Sequence, residues 1–173
     1  MSTYFPEATP VLGNLSVRWI STATDLEAIK LATEWNAATS VDLSCFARPL
    51  NPSATEGTGS APNRICTTIT LPQRGRTEIS AFDLRYVYDP QGDDADPRNK
   101  AKATLIENAT GILVFRKGVA FTTGGAVGQH YEAWRGYLGR QNNVTSGDDD
   151  FAEFEKSQMF FPTQDLVEGV LVA

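Results

Sequence analysis

His130 is the only histidine of this chain, so a Ser-His-Asp or Cys-His relay would have to be built around it, with Cys45 or Cys66 as nucleophile in the second case. No Gly-x-Ser-x-Gly elbow is present, and a lone histidine at the start of a strand reads as a solvated edge residue. A structural zinc site needs about four Cys or His ligands, and these three are scattered. Gly124-Gly-Ala-Val-Gly128 lacks both the Gly-x-Gly-x-x-Gly spacing and the Gly-Lys-Ser/Thr ending of a phosphate loop, and reads as a flexible connection between strands. Asp93, Asp94 and Asp96 lack the alternating register and the twelfth-position glutamate of a calcium loop, and read as acids at a helix start. Asp148, Asp149, Asp150, Glu153 and Glu155 form the densest negative patch. A glycosidase pair is one conceivable reading, but general-acid work needs one carboxyl buried and set apart. Crowded carboxylates read instead as a surface coat, with a lumen or a subunit contact as the sharper option. No catalytic residue, metal or cofactor is expected.

The elements that must carry these residues are mostly strands. In Ile79 to Tyr88 the even positions Phe82, Leu84, Tyr86 and Tyr88 alternate with Asp83 and Arg85, which predicts a strand with one apolar face. Asp89-Pro-Gln-Gly92 supplies a turn, and Asp96 before Pro97 reads as an N-cap with proline at the first helical position. The helix is expected over about 96–109, with Ala101, Leu105, Ile106 and Ala109 as its apolar stripe and Gly111 as its stop. Ile112 to Phe115 is apolar on both faces and so belongs at the centre of a sheet. Further strands are expected at Ser16–Ile20, Val41–Cys45, Ile65–Leu71 and Tyr131–Arg140, the last with Trp134 and Leu138 on one face and Tyr131 and Tyr137 on the other. A final pair is expected over Phe151–Phe161 and Asp165–Val172. Asp25 caps a short helix through Leu31 in this reading, Gln73 to Arg76 is a turn, and Gln141 to Asp150 is polar loop. Ala47 to Asn63 holds three prolines, two glycines and several Ser and Thr, and reads as a long loop. Loops beyond about 12–15 residues inside a compact domain usually have a function.

With 173 residues, 41% of them hydrophobic and 10% aromatic, the chain suits one domain spanning 1–173 with one real core. Its fold class is mainly β (α+β): a sandwich or barrel with one flanking helix. The apolar runs fall short of the roughly 20 residues of a membrane span, and no export leader is read. A protein that is soluble and not exported is expected, so the sequons at Asn14, Asn108 and Asn143 carry little weight, and both cysteines read as small buried hydrophobes rather than a disulfide. The net charge of −6 argues against tight nucleic-acid binding. It suits a surface past which a polyanion slides without sticking.

The order of elements resembles the major tail tube protein of long-tailed bacteriophages, especially those infecting actinobacteria. Phe82-Asp-Leu-Arg-Tyr-Val-Tyr-Asp-Pro90 entering a helix, Thr110-Gly-Ile-Leu-Val-Phe-Arg-Lys-Gly118, Glu153-Phe-Glu-Lys-Ser-Gln-Met-Phe-Phe161 and Asp165-Leu-Val-Glu-Gly-Val-Leu-Val172 carry the likeness. It implies a non-enzymatic virion protein, made in the host cytoplasm, that assembles with itself into stacked hexameric rings and conducts DNA during ejection. Tape measure, tail tip and tail terminator proteins are the further partners implied. In that family a long loop after the second strand reaches the adjacent ring, which would give Arg48, Pro49, Asn51, Pro52, Glu56 and Arg64 that contact, and the carboxylates from Asp148 to Glu155 a place at the lumen or between subunits. A type VI secretion tube protein or a head-to-tail completion protein is the nearest structural alternative. A small-ligand-binding barrel or a hydrolase using the 148–155 carboxylates is the rival of another class.

Overall fold

A computed structural model describes residues 11, 13–50, 52, 54–60, 72–147 and 152–173. Strands dominate: β1 (Leu15–Ile20), β2 (Val41–Asp42), β3 (Ala54–Ser60), β4 (Pro72–Ile79), β5 (Phe82–Val87), β6 (Thr110–Lys117), β7 (His130–Thr145), β8 (Phe154–Pro162) and β9 (Val167–Val170), with one short helix α1 (Lys100–Thr104). Seven strands form a curled antiparallel sheet in the order β2-β1-β6-β7-β8-β5, with β9 beside the first half of β7. After β2 the chain crosses the open side of this half-barrel. Leu43 donates its N–H to Val17 on one flank, and Arg48 donates to Arg85 on the other.

Period-two alternation explains the main core. Val17 and Trp19 of β1, Leu84 and Tyr86 of β5, Leu113 and Phe115 of β6, Trp134 and Leu138 of β7 and Phe160 of β8 all point into the curl, joined by Ala101 and Leu105 from the helix. β6 is buried from Gly111 to Arg116 and lies between β1 and β7, as its two-faced apolar run predicts. Its even residues Ile112 and Val114 face outward into a second cluster with Ile20, Leu26, Ile29, Trp35, Tyr131 and Leu171. One half of the convex face is therefore covered.

Several expectations are corrected. Asp96 does cap the helix start, accepting from the Arg98 N–H, with Pro97 opening a 3-10 turn. The helix nevertheless ends at Thr104, because Leu105 leaves helical geometry and Asn108 takes φ +62° on the way into β6. Ile106 is then exposed. Gly111 does not stop the helix: it lies inside β6, where a Cβ would come within 2.3 Å of the Trp19 indole. No helix forms over 25–31. The Glu27 and Ile29 carbonyls accept from Val170 and Val172 instead, and the buried Tyr131 hydroxyl donates to Leu26 and accepts from Ile29. A single π-helical turn follows at Leu31–Trp35.

The strand after it stops at Asp42, whose carboxylate turns the chain by accepting from the Ser44 N–H. The middle of the expected 47–63 loop is β3, and the expected turn at Gln73 to Arg76 is part of β4. The two strands pair as a separate ribbon with a bulge at Gly57, where a Cβ on Gly75 would meet the Gly57 carbonyl at 2.7 Å. β7 runs on to Thr145, into the expected polar loop, because β8 pairs with it through Glu155 and Phe154. β8 and β9 do not pair with each other; both hydrogen-bond to β7. The strand expected at 65–71 and Cys66 lie outside the described residues.

Candidate assembly surfaces

The β3–β4 ribbon projects as an arm whose described β3 residues are all exposed. A two-stranded ribbon alone is marginal in water, and both outer edges of this one are unpaired among the described residues. Glu56, one of the residues singled out above, sits on β3 and ion-pairs with Arg74 across the ribbon. Pro49 is exposed and Pro52 half-buried on the approach to the arm. Asn51 and Arg64 lie outside the described residues.

The root of the arm is fastened by Arg48. Its Nε donates to Glu155 Oε1 at 2.6 Å and a terminal nitrogen donates to Glu153 Oε2 at 2.7 Å. The Glu155 side chain is 2% exposed and the Arg48 side chain 43%, so a guanidinium at the surface covers a carboxylate beneath it. The hydrogen bond that Arg48 donates to Glu155 holds the guanidinium above its ordinary range. Two groups of residues that the sequence places apart, the arm and the acidic stretch, thus meet in one cluster. Glu153 is exposed, and Asp148, Asp149 and Asp150 lie outside the described residues.

Among the described residues, those that a relay would need are not brought together. His130 is exposed and lines a shallow groove with Lys117, Glu132 and Glu168. Cys45 lines a different groove with Phe46, Tyr88 and Glu153, and is exposed rather than buried. The chain at Cys45 is crossing the mouth of the half-barrel, so its side chain has no layer above it. Among the described residues no group of three His, Cys, Asp or Glu is placed to hold a metal ion. Asp93, Asp94 and Asp96 are accounted for locally: Asp93 accepts from Ala95 and Asp96, Asp94 pairs with Lys102 at 2.9 Å, and Asp96 holds Arg98. Buried Asn99 knits this turn by donating to the carbonyls of Asp89, Gly92 and Asp93.

Two buried ionic groups carried no sequence signal. Arg116, 2% exposed, donates to Ser16 Oγ, Gln129 Oε1 and the carbonyls of Ala120, Thr123 and Gly124, with its guanidinium over the Trp35 ring. Burial pushes its pKa down. It organises the connection between β6 and β7, which contains the glycine run. Glu34 accepts from the N–H groups of Thr24 and Lys30 at 2.7 and 2.8 Å; burial pushes its carboxyl up, but those donors outweigh it and hold it below the ordinary range.

The architecture is thus a curled sheet with a protruding arm and no assembled catalytic group among the described residues. A family model described as phage tail tube protein matches residues 2–173, almost the whole chain. The chain belongs to the phage tail tube protein family. It is therefore a structural protein of the bacteriophage tail, one that assembles with itself into a tube and associates with other tail components. No curated protein matches it. Among the described residues no helix is long and apolar enough to cross a membrane.

Proposed function

We propose that this tail tube protein forms hexameric rings that stack into the hollow tail of a long-tailed phage, and that the tube conducts DNA during ejection. The carrying observation is the arm: an exposed ribbon with both edges open, held at a fixed root, has no partner in its own described chain and is suited to reach a neighbour. In this reading the whole chain is one tail-tube domain without catalysis, made in the host cytoplasm. Arg48, Pro49, Asn51, Pro52, Glu56 and Arg64 serve the contact between rings. Tape measure, tip and terminator proteins meet the tube at its lumen and ends.

The acidic stretch takes two roles here. Glu155 works from inside by holding Arg48, while Glu153 and the three aspartates face the lumen or a neighbouring subunit. A negative lumen repels DNA and lets it pass. Negative-stain electron microscopy over a concentration series, beside mass by light scattering, tests the reading. Six-fold rings or stacked tubes are expected, and a strict monomer at every concentration, or rings of another symmetry, would overturn it.

A further inference from the structure

Among the described residues the convex face of the sheet is covered over one half only. Residues from Leu26 to Trp35, with Leu171, pack on Ile112, Val114, Tyr131 and Ala133. Beyond Arg135, which donates to the Ala23 carbonyl at the boundary, no described strand or helix lies over β7, β8 and β5. Because Leu138, Gln158 and Phe160 point into the core, alternation turns Tyr137, Met159 and Phe161 outward. Tyr137 is 41% and Met159 38% exposed. The Tyr137 and Phe161 rings stack at 5.0 Å and 14°, and Gly139 beside them keeps the surface flat, since a Cβ there would stand 3.0 Å from the Phe161 ring.

Resting on the tube reading above, we propose that this bare half, centred on Tyr137, Phe161 and Met159, is a contact surface for a second copy of the chain. Stacked rings held in one orientation give up little side-chain freedom on contact, which is what a binding platform requires. Charge names the occupant. Copies with a net charge of −6 repel one another over most of their surface, but on this face the acid is matched, and Arg135 at its boundary donates to a carbonyl with no acidic partner among the described residues. Asp83 pairs with Arg85 at 2.7 Å and accepts from Ser157 Oγ at 2.6 Å. An identical acidic chain can approach here without net repulsion. A nucleic acid, which needs an excess of Lys and Arg, gains nothing here. A closed ring requires a heterologous contact, so the partner presents a different surface to this one.

The test replaces Tyr137 with the photoreactive benzoylphenylalanine, which keeps an aromatic ring in place, and uses the same residue at exposed Val127 as control. Irradiating assembled particles is expected to give covalent dimers and higher multiples from position 137, with the attachment on another region of a second copy. The double variant Tyr137→Ser, Met159→Lys, which sets a cation rather than a second carboxylate opposite Asp83, should remain folded at the assay temperature, giving up only the Tyr137–Phe161 stack, and need about a tenfold higher concentration to assemble. Assembly of the variant at the wild-type concentration, or no intermolecular product from position 137, would overturn the surface while leaving the tube intact. If the wild-type chain never assembles, the tube reading and this contact fall together.

Discussion

Removing the Arg48 side chain should destabilise the protein far more than its surface position suggests. Exposed ion pairs are worth about 0–1 kcal/mol, whereas stranding a buried carboxylate costs about 3–5 kcal/mol. This cluster lies between those limits, because the Glu155 side chain is 2% exposed and Arg48 is 43% exposed. Solvent reaches the guanidinium, so the larger figure must be discounted. Arg48→Ala is expected to cost about 2–3 kcal/mol, Glu155→Gln a little less, and the double variant well short of their sum. The coupling should be about 1–2 kcal/mol. Urea melts of the four proteins measure it, and Glu153→Gln, whose partner oxygen is in water, should cost under about 1 kcal/mol. Additive single effects, with a coupling below about 0.5 kcal/mol, would show that Glu155 does not depend on Arg48 and that the arm is fastened by backbone alone.

Gly111→Ala should destabilise by about 2–3 kcal/mol, since its Cβ would lie 2.3 Å from the buried Trp19 ring; a calorimetric melt within a degree of wild type would mean that Trp19 moves freely. Arg116→Met should cost about 2–4 kcal/mol and speed amide exchange across residues 118–129, leaving exchange in β7 and β8 to follow global unfolding alone. Glu34 has a depressed folded-state pKa, so its contribution is complete above the ordinary carboxylate range and is lost as pH falls through the folded value. Glu34→Gln should therefore cost stability at pH 7 and flatten the acid limb of the stability profile, and a variant profile parallel to wild type down to pH 3 would refute this.

The sheet interior was legible because burial writes its period into the residues. Ile112 to Phe115 announces a strand covered on both faces, and the alternation from Phe82 to Tyr88 announces one covered on a single face. Asp96-Pro97 announced a helix start for equally local reasons. Its end was hidden, because Leu105 leaves the helix to fill the barrel, and Gly111 answers to Trp19 rather than to its own neighbours. The arm escaped because β3 is exposed at every described position, so no apolar period exists to be read, and Gly57 and Gly75 meet at the bulge. Arg48 and Glu155 are 107 residues apart. Only the crossing of the half-barrel brings them together, and neither residue differs locally from any other surface charge.

Arg116 reaches five oxygens, three of them carbonyls within the span Ala120 to Gly124. Seen from the loop, the guanidinium does the work of a bound ion: a central positive charge around which a short glycine-bearing segment folds its carbonyls inward. This centre is synthesised with the chain and tethered to the middle strand of the sheet. It is not released by a chelator, exchanged for another cation or diluted away, so this centre of the loop does not depend on a cation supplied by the medium.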